Sequence, residues 1–276
     1  VTYDDVVKAR ETQSKVIRKT TLEFSETFSN ICGSKIYLKN EYEQKTGSFK
    51  IRGAYYKIKS LTDEEKNNGV VAASAGNHSQ GVAFASHIEN IPCTIVMPKT
   101  ASPAKVAATK GYGAKVVLEG STYDESWAHA QKISSETNAT IIHAFDDLHV
   151  IAGQGVIGLE IIEQLPNVDE IYVPIGGGGL VAGIITAVKE KNPNVKIIGV
   201  ESSAYPAMKK SIENNTLETV SGDTTIADGI SVKTPGKITF DIVKQRIDEI
   251  VTVDDRDIIN AMFLLMERSK AVVEPA

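Results

Sequence analysis

The sequence predicts an α/β protein of two domains, with parallel sheets flanked by helices. Three observations predict it. Short apolar runs rich in β-branched residues alternate with longer segments of helical period. Two of the turns that follow such a run and open a helix are built from small and glycine residues. The chain is 276 residues long and 42% hydrophobic, enough for one large core or two smaller ones. Strands and helices in alternation imply parallel strands covered on both faces.

Taken in order, strands are expected at 36–38, 70–73, 94–97 and 115–118, where Val70, Val71, Ile95, Val96, Val116 and Val117 supply the β-branched character. Further strands are expected at 140–143, 171–175, 195–200 and 249–253. Helical patterns fill the intervals 51–60, 77–88, 103–110, 123–137, 153–164, 180–191 and 256–270. Ser102-Pro103 marks one start, with serine at the cap position and proline at the first helical position. No repeat, charge block or Pro/Gly/Ser-rich linker separates domains. The run of βα units gives a smaller domain at 45–144, inserted into a larger one made of 1–44 and 145–276.

Thirty basic and 35 acidic residues are intermixed, and the net charge is only −5. That offers no strong field to nucleic acid or to an anionic membrane, so a small, near-neutral partner is expected. Cys32 and Cys93 fit neither a metal spacing nor a disulfide framework, which favours a reducing compartment, the cytoplasm. The longest uncharged run, 172–188, is interrupted by glycines and short for a membrane span. The chain starts at Val1 without methionine and stops at Pro275-Ala276 just after a helical pattern, so a larger domain incomplete at its C-terminus is expected.

Pro174-Ile175-Gly176-Gly177-Gly178-Gly179-Leu180 follows a strand and opens a helix. Glycines let backbone N–H groups turn inward and the helix start adds positive dipole, so the loop suits a phosphate; four in succession cost too much backbone entropy for a mere connector. A dinucleotide reading competes, because Gly177, Gly179 and Ala182 fit G-x-G-x-x-A and Glu201 ends the next strand at a distance suited to a ribose hydroxyl. A nucleoside triphosphate loop is disfavoured, since no Lys-Ser/Thr follows the glycines. Ser74-Ala75-Gly76-Asn77-His78 is a second small, polar turn between strand and helix, able to bind a carboxylate, or equally to act as an ordinary helix cap. His78 has no metal-ligand partner at i+4, and no metal site is expected.

Lys50 stands between Phe49 and Ile51 with glycines on both sides, at Gly47 and Gly53. A lysine restrained in a partly apolar place has a lowered pKa and reacts as an amine with a carbonyl; alone it would read as a solvent-facing helix start. With a phosphate loop and a carboxylate turn on an α/β scaffold, a Schiff base to pyridoxal 5'-phosphate becomes the better account.

Four segments, Thr46-Gly47-Ser48-Phe49-Lys50-Ile51-Arg52-Gly53-Ala54, Ser74 through Gly81, Ile151-Ala152-Gly153-Gln154-Gly155 and Gly176 through Leu180, occur in one order and spacing. In these the chain resembles the threonine dehydratases (threonine ammonia-lyases) over its whole length, including Ala227-Asp228-Gly229 and Val273-Glu274. They belong to the fold-type II, tryptophan synthase β-like pyridoxal-phosphate enzymes, which include serine racemase. The resemblance implies that Lys50 carries the cofactor, Phe49 packs against its ring and Asn77 meets its 3-hydroxyl. Gly176, Gly177, Gly178, Gly179 and Leu180 would take the phosphate, and Ser74, Ala75, Gly76, Asn77 and His78 the substrate carboxylate. It further implies a cofactor in a cleft between domains and a homodimer or homotetramer; isoleucine biosynthesis and a catabolic role stand equally open.

The expected reaction is α,β-elimination of L-threonine to 2-oxobutanoate and ammonia, with L-serine as a second substrate. Racemisation needs an acid/base on the opposite ring face, where serine racemases carry a serine before Gly-Asn-His. Ala75 stands there and has no proton to give. The racemase-like magnesium site lacks its second acidic residue after Glu201, and the family's C-terminal Ser-Gly-Gly-Asn-type segment has no counterpart before Ala276.

Overall fold

The computed structural model describes residues 1–276. It opens with α1 (Tyr3–Gln13), whose first turn holds Asp4 and Asp5 where the helix dipole favours anions and whose buried stripe is Val6, Ala9 and Gln13. Next come β1 (Leu22–Phe24), α2 (Glu26–Cys32) and β2 (Tyr37–Lys39), with β1 and β2 paired antiparallel. Then follow α3 (Lys50–Lys59), α4 (Asp63–Asn68), β3 (Val70–Ala73), α5 (Asn77–Ile88), β4 (Cys93–Met97), α6 (Pro103–Gly111), β5 (Lys115–Leu118), α7 (Tyr123–Thr137) and β6 (Thr140–Ile141). The remaining elements are α8 (Leu148–Gln164), β7 (Glu170–Pro174), α9 (Gly179–Lys191), β8 (Lys196–Ser202), α10 (Ala207–Glu213), α11 (Lys237–Arg246), β9 (Glu249–Val253) and α12 (Asp255–Leu264).

The chain divides into two compact units. The first comprises Val1, Tyr3–Arg18 and Gln44–Gln154; the second comprises Thr2, Lys19–Glu43 and Gly155–Ala276. The 45–144 segment lies wholly in the first unit, where α1 joins it for a physical reason. The Gln13 side-chain amide donates to Arg52 O at 2.8 Å and to Gly153 O at 3.1 Å, all of it buried.

In the first unit the sheet runs β5-β4-β3-β6, all parallel. Alternation along β3 decides its two faces. Val70 and Ala72 pack with Ile51, Ala54 and Ile58 of α3 and Val82 and Ala85 of α5. Val71 and Ala73 pack on the other side with Ala130, Trp127 and Ile133 of α7. A strand buried on both faces reads as continuously apolar, which is why residues 70–73 are legible as a strand without an alternating pattern.

The second unit holds the parallel sheet β7-β8-β9, with Ile171 opposite Ile197 and Ile198 opposite Glu249. From Val181 to Val188 every residue of α9 is buried, as expected of a helix that is apolar all round. No helix is long and apolar enough to cross a membrane.

Several details differ from the sequence expectation. Helix α8 begins at Leu148 rather than at 153, because the Asp147 carboxylate accepts the His149 and Val150 amides and starts it earlier. The helix expected at 256–270 stops at Leu264, followed by a π turn over Leu265–Ser269 that closes on Lys270 in the left-handed region. Ser102 does occupy the cap position of α6, but its side chain makes no capping hydrogen bond, so Pro103 alone carries that start.

Candidate active site

The first unit presents the lysine. Lys50 is the first residue of α3, and Phe49 stands at the cap position without a side-chain capping bond. The Lys50 Nζ donates to Ala144 O at 3.1 Å and lies 5.3 Å from the centre of the Phe49 ring. Burial lowers the amine to about 8, and no neighbouring charge contributes. A partly buried lysine without a carboxylate to hold its proton is a nucleophile and a base near neutral pH.

Gly81 explains how α5 meets this lysine. A Cβ there would stand 3.1 Å from Ile51 N and 3.1 Å from the Lys50 carbonyl carbon, so glycine lets α5 lie against the start of α3 without displacing it. The turn before α5 is thereby held beside Lys50. In it the Ser74 hydroxyl accepts the Gly76 N–H at 3.2 Å, and the Ser79 hydroxyl donates to Gly76 O at 2.6 Å. Asn77 opens the helix, whose first amides favour an anion.

His78 does not point its chemistry at this turn. It is 4% exposed, and its Nε2 lies 2.8 Å from Ile142 O, which assigns the proton to Nε2. Burial first, and the Lys50 charge second, push it down to about 3, so it is neutral. His143 is likewise lowered by burial, and its Nδ1 accepts the Phe145 and Asp146 amides. Lys50 is left as the group here whose proton is in play near neutral pH.

The second unit presents the glycine turn. It joins β7 to α9, with Gly178 at the cap in the left-handed region at φ +93°. A Cβ on Gly178 would stand 2.7 Å from Met208 Cε and 2.9 Å from Thr239 Oγ1; one on Gly176 would stand 3.1 Å from Ile230 Cα. Neither Gly176 nor Gly178 therefore has room for a side chain. The amides of Gly176, Gly177, Gly178 and Gly179 donate to no backbone carbonyl, whereas the Gly177 carbonyl is doubly held, by the Gly236 N–H at 3.2 Å and the Thr239 hydroxyl at 2.6 Å. Free N–H groups at the start of a long helix are what a phosphate requires.

The dinucleotide reading fails on Glu201. It is 1% exposed, and its two oxygens accept the Met208 and Lys209 amides at 2.8 and 2.9 Å. Burial raises this carboxyl to about 7 against the lowering by those two hydrogen bonds. It caps α10 and is not presented to a ribose.

The sequence alone gives Gly81 no role and gives no sign of Thr239. An unexplained glycine inside a helix is the available signal for the first. Nothing local marks Thr239, whose role comes from a carbonyl 62 residues away.

In the first unit burial leaves a lysine amine able to condense with an aldehyde, and in the second a glycine turn offers unengaged amides that suit a phosphate. The chain belongs to the pyridoxal-phosphate dependent enzyme family, which it matches over residues 13–276. It is 50% identical to L-threonine ammonia-lyase of Thermotoga maritima over all of this chain and 69% of that protein. It is 47% identical to the catabolic L-threonine dehydratase TdcB of Staphylococcus aureus, over all of this chain and 80% of the other. Among solved structures, maize serine racemase superposes with a TM-score of 0.97 at 34% identity, covering all of this chain and 83% of that one. The processed form of threonine deaminase isoform 2 from Solanum lycopersicum gives 0.96 at 38%, covering 99% of this chain and 76% of that one. The residues present fit the cofactor: unengaged glycine amides for its phosphate, a low-pKa lysine for its aldehyde, and buried Thr46 and Ser48 hydroxyls with no partner, close in sequence to that lysine.

Proposed function

We propose that this chain is an L-threonine ammonia-lyase, which eliminates water from L-threonine and, as water adds back on hydrolysis of the resulting enamine, releases 2-oxobutanoate and ammonia, and which acts on L-serine by the same chemistry to give pyruvate and ammonia. The observation that carries it is the placement of Lys50, first residue of α3, with its Nζ on Ala144 O and beside the Phe49 ring, where burial lowers its amine. Relatives at 50% and 47% identity named for threonine support the substrate.

In this reading Lys50 would hold the cofactor's aldehyde, Phe49 would pack against its ring and Asn77 would meet its 3-hydroxyl. Gly176, Gly177, Gly178, Gly179 and Leu180 would hold its phosphate. When bound, pyridoxal phosphate supplies an electron sink for charge developing at the substrate's Cα. Ser74, Ala75, Gly76, Asn77 and His78 orient the substrate carboxylate at the start of α5, where backbone amides and helix dipole favour an anion. The neutral Lys50 Nζ accepts the Cα proton. His78 stays neutral and keeps its N–H on Ile142 O, so it fixes the turn rather than exchanging protons.

Serine racemase has the same fold, and Ala75 separates the two readings: a methyl group has no proton to deliver to the opposite face of Cα. One experiment tests both. The visible spectrum of the purified protein is followed while L-threonine is added, with 2-oxobutanoate assayed and chiral chromatography run on the residual amino acid. A band near the visible edge that changes as 2-oxobutanoate accumulates, with no D-enantiomer, is expected. Lys50→Ala should lose the band and at least about 10³-fold in turnover. Retention of wild-type rate by that variant, or abundant D-enantiomer, sinks the assignment.

The reading extends to a homodimer or homotetramer in the cytoplasm, supported by the family resemblance and tested by sedimentation equilibrium of the holoenzyme. The Staphylococcus aureus relative is named catabolic. A role on the route to isoleucine is therefore the part to test by complementing an isoleucine auxotroph that lacks threonine deaminase.

A further inference from the structure

Two buried side chains stand behind the glycine turn and have no part in the reading above. Thr239, in the first turn of α11, is fully buried, and its hydroxyl donates to Gly177 O at 2.6 Å, with Gly236 O further off at 3.1 Å. Met208 is also fully buried and puts its Cε into the space beside Gly178 where a side chain would be. Its own N–H is held by Glu201 at 2.8 Å, so α10 cannot slide away from the turn without breaking a buried hydrogen bond.

The geometry of a peptide group makes the threonine bond matter. In a trans peptide the C=O of one residue and the N–H of the next lie in one plane and point in opposite directions. Fixing Gly177 C=O on Thr239 therefore aims Gly178 N–H the opposite way, out of the turn on the side where no backbone acceptor waits. Between two glycines this plane rotates with little steric resistance, since neither residue has a Cβ to confine it. A tether on the carbonyl is what gives the amide a fixed direction.

We propose that Thr239 is a positioning residue for anion recognition: by holding the Gly177–Gly178 peptide plane it sets the turn's preference for a phosphorylated cofactor over the same aldehyde without phosphate. The inference rests on the cofactor reading above and adds a buried residue that acts through the Gly177–Gly178 peptide. Removing the hydroxyl leaves the Gly177 carbonyl with one donor, Gly236 N–H, and lets the plane turn. Losing one such bond and the alignment it enforces should weaken phosphate binding about tenfold.

The test compares two equilibrium titrations, cofactor-free protein with pyridoxal 5'-phosphate and with pyridoxal, read by absorbance. Thr239→Val should raise the dissociation constant for the phosphate ester about tenfold and leave that for pyridoxal within about twofold, while Thr239→Ser restores both. Should valine prevent folding, as judged by circular dichroism, Thr239→Ala enters the same pair of titrations. Equal weakening for both aldehydes would mean a merely structural role and overturn the proposal, as would no change for either. A wild-type protein that itself fails to prefer the phosphate ester would instead remove the phosphate reading of the turn, and the proposal with it.

Discussion

At the scale of a residue, Lys50 shows what the site costs. Its amine is lowered from 10.5 to about 8 by burial, so the charged form is disfavoured in the folded protein and not in the unfolded chain. The sign follows by linkage: between about pH 8 and 10.5 the unfolded chain binds more protons, so this group makes stability rise with pH there, and below about 8 the penalty is present in full. Lys50→Met in the cofactor-free protein should therefore be more stable than wild type at pH 7, by on the order of 2 kcal/mol given partial exposure, with the gap closing as pH rises from about 8. Thermal melts of both proteins from pH 6 to 10 check this. A gap independent of pH would mean that the lysine is not desolvated. Local stability is sacrificed here for a reactive amine, as is common at functional sites.

At the scale of an element, the pair α3 and α5 carries the site, and Gly81 is the place to test it. A methyl group there meets backbone atoms of Lys50 and Ile51 at 3.1 Å, so α3 must give by a few tenths of an ångström. Replacing a mid-helix glycine by alanine also gains up to about 1 kcal/mol in helix propensity, which offsets the crowding. Gly81→Ala should thus shift Tm by only a few degrees while lowering kcat about tenfold or more through displacement of the Lys50 amine. Paired melting and kinetic measurements would show the split; a variant unchanged in both would mean that α3 adapts without moving the lysine. Elements of this kind are legible where their signals are local. Residues 70–73, 115–118 and 249–253 coincide with β3, β5 and β9, and residues 77–88 and 123–137 with α5 and α7. Helix α4 is short and polar and escapes a search for apolar period, although Thr62 and Glu65 form a capping box that its sequence spells out. Helix α1 escapes it too, because its buried stripe includes Gln13, a polar residue that periodicity counts as surface. Thr239 is invisible for a related reason: its burial and its partner are set by tertiary packing, which no window of sequence contains.

At the scale of the whole molecule, neither compact unit is a continuous stretch of chain. The first takes its opening helix from Tyr3–Arg18 and the rest from Gln44–Gln154. Gln13 joins the two stretches through carbonyls at Arg52 and Gly153. Gln13→Ala removes both donors and leaves two buried carbonyls short of a partner, which should lower the stability of the first unit by about 2–4 kcal/mol and shift its urea midpoint downward. A shift below about 0.5 kcal/mol would mean that α1 is held by Val6 and Ala9 alone. The same bond sets a timetable during synthesis. Gln13 leaves the ribosome 140 residues before Gly153, and at about 5–20 residues per second the wait is on the order of ten seconds. Through most of that interval α1 has only the α3 half of its seat, the Arg52 carbonyl. A helix whose buried stripe is one valine, one alanine and one glutamine is suited to such a delay, because it offers nascent neighbours almost no apolar surface to aggregate on until its partner carbonyl arrives.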